Sequence, residues 1–202
     1  MKLYNLAAGS NPRRVRIFLA EKGVEVPTVD IDMAAGENRS EAFLAMNPLG
    51  TLPVLELDDG TILTESIAIC RYFEELHPAP ALFGADTLAR AQVEMWNRRV
   101  ELGLLSPVSQ AFRHGHPFWK GRHEQIEAIA ASSREAALKT MRWLDAELAG
   151  RAYLAGGDYT VADITAQCAV LLGKNTGTPV PDDCENLLRW WKQVTARPTA
   201  RA

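Results

Sequence analysis

The sequence predicts an α+β domain of order β-α-β-α-β-β-α over residues 1–77, a linker at 78–86, and an all-α domain over 87–202. Three observations predict this division. Strand-like and helix-like periodicities alternate up to His77, and Asp58-Asp59-Gly60 between "PVLEL" and "TILT" marks a hairpin, because glycine accepts the positive φ that such turns demand. "HPAPALFGAD" then interrupts every periodicity with proline and glycine. From Thr87 onward, apolar residues recur only at three- and four-residue steps.

Each element has its own local reason. "KLYNL" reads as the first strand, and "NPRRVRIFLAEKG" as a helix whose stripe of Val15, Ile17, Phe18 and Leu19 ends at Gly23, with Pro12 starting the helix. "VPTVDIDM" is a β-branched run, and "RSEAFLAMNPLG" a short helix that begins after Ser40 and stops at Asn47-Pro48. After the hairpin, "ESIAICRYFEELH" places Ile67, Ile69, Cys70 and Phe73 on helical spacing. In the second domain, "ARAQVEMWNRRVELGLLSPVSQAFRH" is a long helix pattern in which Pro107 predicts a kink or a break. "HEQIEAIAASSREAALKTMRWLDAELAG", "YTVADITAQCAVLLGKN" and "CENLLRWWKQVTA" follow, the second opened by a capping box of Thr160 and Asp163 with Tyr159 and Ile164 as its staple. Trp96, Trp143, Trp190 and Trp191 lie on helical stripes and read as core or interface.

The totals exclude several classes of function. A formal net charge of -3 supplies no basic field, so nucleic acid is not an expected partner. No apolar run reaches the ~18 residues a membrane span requires, and the amino terminus lacks a signal-peptide core, so a cytoplasmic protein is expected. Cys70, Cys168 and Cys184 are odd in number and widely spaced, without C-x-x-C; they point to buried thiols and to no metal or disulfide framework.

Pro53 poses a question, because a proline opening a strand removes a ladder hydrogen bond. A cis Leu52-Pro53 bond would turn the Val54 N–H and C=O outward to pair with a bound peptide, like one more strand. A trans proline closing a loop is the other reading. "NPLGTLPVLELDDGTILTESIAICRYF" at 47–73 and "YLAGGDYTVADITAQ" at 153–167, in this domain order, resemble the cytosolic glutathione transferases. The resemblance covers nearly the full chain and implies a thioredoxin-like first domain with a helical second one. It implies glutathione contacts along Leu52, Pro53 and Val54, with Pro53 cis and the Val54 backbone paired to the cysteinyl part. It places Asn38 and Arg39 at the glycyl end, although a polar "GENRS" loop is also an ordinary solvated one. It further implies glutathione as co-substrate with no permanent cofactor, a homodimer, and a small hydrophobic electrophile between the domains near Leu104, Leu105, Val108 and Phe112.

The chemistry of Glu65 and Ser66 agrees independently. The γ-glutamyl end of glutathione carries an ammonium and a carboxylate; Glu65 can take the first, and the Ser66 hydroxyl with the free N–H groups of the following helix the second. Alternatively Thr64 or Glu65 merely caps that helix. Thiol activation requires a donor to sulfur. Tyr4 lies within the first strand, too early, whereas Ser10 and Asn11 precede Pro12 in a serine-type pattern; a plain turn or cap is the competing reading. "WNRRVELGLLSPVSQAFRH" also resembles a fungal and bacterial subgroup that lacks the amino-terminal Tyr, Ser or Cys and holds an activating water with a serine and a histidine. Ser109 matches that serine, and Arg113-His114 stands where the subgroup has two adjacent histidines; the sequence departs at one of them, which either removes the water-based route or shifts it to His114. His114 and His116 read equally as solvent-facing residues at a helix end.

The expected activity is attack of the glutathione thiolate on small hydrophobic electrophiles, with peroxidase or isomerase chemistry in the same class. The alternative is a non-catalytic glutathione-binding or dimerising module. Thiol exchange is excluded, because the segment immediately after the first strand contains no cysteine.

Overall fold

A computed structural model describes Met1–Ala202 and divides the chain into two compact units, Met1–Ala81 with Arg201–Ala202, and Leu82–Ala200. In the first, β1 (Lys2–Asn5), α1 (Ser10–Lys22), β2 (Thr28–Asp30), α2 (Glu41–Met46), β3 (Val54–Glu56), β4 (Ile62–Thr64) and α3 (Ser66–Leu76) form the expected βαβαββα order. The sheet runs β2-β1-β3-β4, with β1 parallel to β2 and β3 antiparallel to both β1 and β4.

Side-chain pattern explains the layers. On α1, Val15, Ile17, Phe18 and Leu19 are buried, and α1 packs against α3, which buries Ile69, Cys70 and Phe73. Each such apolar side chain contributes about 1.5–3 kcal/mol when withdrawn from water. Phe43 of α2 joins Leu52 and Val54 in a smaller core cluster. Helix α1 begins at Ser10 with Gly9 as its N-cap, two residues before the expected start. Pro12 is tolerated there because a first-turn N–H has no helical acceptor. Lys22, near the end of α1, pairs with Glu74 of α3 at 2.5 Å and donates to the carbonyls of His77 and Pro80 at 2.7 and 2.5 Å.

The second unit contains α4 (Thr87–Val100), α5 (Ser106–Gly115), α6 (Glu127–Glu147), α7 (Val161–Thr176) and α8 (Glu185–Thr195). Helix α7 is buried along Val161–Val170, and α4, α5 and α8 pack against it. Pro107 does not break the chain's helical course. A π-helical segment, Glu101–Leu105, joins α4 to α5, and the Ser106 N–H donates to Glu101 O, so a wider turn absorbs the proline.

The capping box forms as expected, and its acid does more than cap. The Asp163 carboxylate accepts from Leu154 N (3.0 Å), Thr160 N (3.0 Å), Thr160 Oγ1 (3.1 Å) and the indole Nε1 of Trp190 (2.9 Å). Burial pushes its pKa up to about 6 although these donors pull it down. Trp190 is core, while Trp96 stacks on the partly exposed Trp143. The three cysteines are buried, and no helix is long and apolar enough to cross a membrane.

Candidate functional site

Asn11, Thr51, Leu52, Pro53, Glu65 and Ser66 line a cleft that is partly open to solvent. Three segments converge there: the amino end of α1, the loop leading into β3, and the amino end of α3. The loop is held from behind. Buried Asn47 donates to Thr51 O (2.8 Å) and Thr51 Oγ1 (3.0 Å), and Asn38 donates its amide to Gly50 O at 2.7 Å. Gly50, at φ 62°, is obligatory, because a Cβ would stand 2.9 Å from Asn38 O and from the Arg39 guanidinium. The Leu52–Pro53 bond is cis. Leu52 precedes β3, and no backbone group takes its N–H or C=O.

Val54 differs from the expectation. The Leu3 N–H donates across to Pro27 O, toward β2. Alternation along β1 therefore gives the Tyr4–Val54 pair the reciprocal bonds of the antiparallel ladder. The N–H and C=O of Val54 are committed to β1, its side chain is fully buried, and β3 is an inner strand. The accessible main chain is that of Leu52, two residues earlier.

Glu65 and Ser66 both line the cleft. Glu65 is the sole non-glycine residue at positive φ, 64°, a conformation of the kind that costs an L-residue about 1–3 kcal/mol. The first intrahelical bond of α3 is Ile69 N–H to Glu65 O, so the N–H groups of Ser66, Ile67 and Ala68 precede the helical ladder. Ser66 is buried, and its Oγ accepts a hydrogen bond from Arg14 Nη1 at 2.8 Å. Sequence reasoning missed Arg14. Its signal is position: Arg14 occupies the same helical stripe as Ile17 and Phe18, and it is only 1% exposed.

The other candidates divide. Asn11 is exposed and lines the cleft, whereas Ser10, the first residue of α1, is half-buried and does not. Asn38 and Arg39 do not line it either. Asn38 is consumed in supporting Gly50, and Arg39 is exposed, with Nη1 3.5 Å from Leu49 O. In the helical unit, Leu104, Leu105 and Val108 are core residues, which corrects their expected place in an open pocket. The π-helical turn and the packing of α5 against α6 and α7 turn them inward. Phe112 is half-buried, stacked on exposed Phe118 at 6.1 Å and edge-on to Trp119 at 5.8 Å.

Ser109 and His114 do not share a face of α5, since five residues place them about 140° apart around the axis. The Nδ1 of His114 accepts from Ile126 N at 3.2 Å, and its ring meets that of His123 edge-on at 4.8 Å. His116 Nδ1 accepts from Phe118 N. Both histidines thus terminate the helix and hold the turn after it. No group of three or more His, Cys, Asp or Glu side chains is placed to hold a metal ion.

A cis-proline loop facing the amino end of a helix, on a β2-β1-β3-β4 sheet and followed by an all-helical unit, defines a thioredoxin-like domain joined to a helical one. Residues 9–76 match the glutathione S-transferase N-terminal domain, and residues 95–198 the C-terminal domain of the same family. The chain belongs to the glutathione S-transferase family. It is 38% identical to Glutathione S-transferase 2 of Saccharomyces cerevisiae over all of this chain and 88% of that protein. Among solved structures, Gtt2 of Saccharomyces cerevisiae superposes with a TM-score of 0.94 at 38% identity, covering 100% of this chain and 99% of the other. A class Gtt2 glutathione S-transferase of Vibrio parahaemolyticus gives 0.88 at 39% identity, over 100% and 96%.

Proposed function

We propose that the protein is a glutathione transferase whose cleft binds glutathione along Leu52 and ionises its thiol for attack on a small hydrophobic electrophile. The observation that carries this reading is the meeting, in one cleft, of a free main-chain donor and acceptor at Leu52 with Glu65 and the amino end of α3. Those groups match a zwitterionic tripeptide. Glu65 pairs with the γ-glutamyl ammonium, Ser66 Oγ–H and the leading N–H groups of α3 receive the adjacent carboxylate, and Leu52 pairs with the cysteinyl backbone.

A free thiol has a pKa near 8.5 and must lose its proton before attack. Asn11 carries an amide N–H donor at the amino end of α1, where the helix dipole also favours negative charge. Its hydrogen bond to sulfur stabilises the thiolate and releases the thiol proton to water. With a chlorodinitrobenzene-type substrate, sulfur forms a bond to the ring carbon, the C–Cl bond breaks, and chloride leaves with the electron pair. Ser10 contributes through the same helix end. Ser109 and His114, if they act, do so separately, since they do not share a face. Phe112 with its aromatic neighbours is the helical unit's candidate for contact with an apolar electrophile.

This reading takes glutathione as co-substrate and the working protein as a cytoplasmic homodimer, with residues 78–86 as linker. Calorimetric titration with glutathione and conjugation across several electrophiles and peroxides test it. Saturable binding with turnover above the non-enzymatic rate is expected. Binding without turnover would favour the non-catalytic module, and no binding would overturn both.

A further inference from the structure

Resting on the reading of the cleft as a glutathione site, we infer that Arg14 is a positioning residue for the γ-glutamyl carboxylate and acts through the hydroxyl of Ser66. A guanidinium only donates, so in the 2.8 Å contact Ser66 Oγ must be the acceptor. A serine hydroxyl has one proton. With a lone pair already occupied by Arg14, that proton is directed to another acceptor, and Ser66 lines the cleft where a ligand carboxylate would lie. The bond from a cation polarises the O–H and strengthens its donation.

Arg14 is 1% exposed and Ser66 5% exposed, so the hydrogen bond between them is sheltered from competition by water. Glu65, on the rim beside Ser66, gives the negative charge for the ammonium. The Ser66 hydroxyl, oriented by Arg14, and the exposed carboxylate of Glu65 thus fix the direction in which the γ-glutamyl group lies. Lysine at position 14 would keep the charge but not the planar donor geometry.

The test compares glutathione with γ-aminobutyryl-cysteinyl-glycine, which lacks the α-carboxylate but keeps the amine and the rest of the chain. Dissociation constants are measured by calorimetry for the intact protein and for Arg14→Met, Arg14→Lys, Ser66→Ala and Arg14→Met/Ser66→Ala. Loss of a charged hydrogen bond predicts a rise of about 10- to 100-fold in the Kd for glutathione in Arg14→Met. The rise should be smaller in Arg14→Lys, and for the decarboxylated peptide under about threefold. The double variant should bind no worse than the more damaged single one, because both act on a single contact. Circular dichroism checks that each variant is folded, and Arg14→Lys carries the test should Arg14→Met fail to fold. Equal losses for both peptides, or additive losses in the double variant, overturn the role assigned to Arg14. Failure of the unmodified protein to bind glutathione overturns instead the reading of the cleft.

Discussion

Replacing Asp163 by alanine should cost the helical unit about half its stability. The carboxylate is fully buried and accepts from the N–H groups of Leu154, Thr160 and the Trp190 indole, and from the Thr160 hydroxyl. The hydroxyl can turn to another acceptor, but three buried N–H groups cannot. At about 1–2 kcal/mol each, their desolvation amounts to about 3–6 kcal/mol, set against a total of about 5–15 kcal/mol for an ordinary domain. Trp190→Phe, which removes one of these bonds while keeping the ring, should cost about 1–2 kcal/mol. Urea unfolding of the intact protein, followed by far-ultraviolet circular dichroism, reads both. A loss below about 1 kcal/mol for Asp163→Ala would refute the view that this carboxylate organises the unit.

The same group sets a pH dependence whose sign is opposite to that of a salt-bridged acid. Its folded pKa, about 6, lies above the ordinary value of 3.8. Its contribution is therefore full below 3.8 and is lost as pH rises through about 6. Between pH 7 and pH 5 the protein should gain about 1 kcal/mol relative to Asp163→Asn. A difference that is flat, or that grows with pH, would contradict the assignment.

Further outcomes follow from the first unit. Glu65→Gly should raise stability by about 1 kcal/mol, because glycine tolerates φ 64°, yet weaken glutathione binding; Glu65→Gln should weaken binding without the gain. Thermal melts and calorimetry separate these effects. Lys22→Met removes the buried ammonium that meets the Glu74 carboxylate at 2.5 Å and donates to the carbonyls of His77 and Pro80, and should cost about 3 kcal/mol in denaturant unfolding. Asn11→Ala should raise the pKa of the bound thiol by about one unit, read from thiolate absorbance against pH, with Ser10→Ala smaller in effect.

The element order is legible in the sequence because each helix carries an apolar stripe and each turn a glycine or proline at its end. Gly23 shows this directly: at φ 65° it ends α1 with its N–H on Ala20 O and Leu19 O. Glu65 and Ser66 are legible because a zwitterionic ligand demands opposite charges side by side. What escapes is set by geometry that residue types do not encode. Whether Leu52 or Val54 presents its main chain depends on the alternation of β1 between two neighbours, a property of the whole sheet. The inward turn of Leu104 and Val108 depends on an extra residue per turn at Glu101–Leu105, which shifts the phase of every residue after it. Arg14 is hidden for a different reason. A lone cation in a stripe ordinarily reads as a long side chain reaching for solvent, and only the position of Ser66 shows where it goes.

The most direct measurement is the titration of glutathione into the intact protein, with the thiolate absorbance of the bound ligand followed as a function of pH. Saturable binding at one site per chain is expected, with the bound thiol ionising well below its free value of about 8.5 and with affinity reduced in Glu65→Gln. Absence of saturable binding, or a bound thiol that ionises where the free one does, would contradict the assignment of the Leu52–Ser66 cleft as the site of thiol activation.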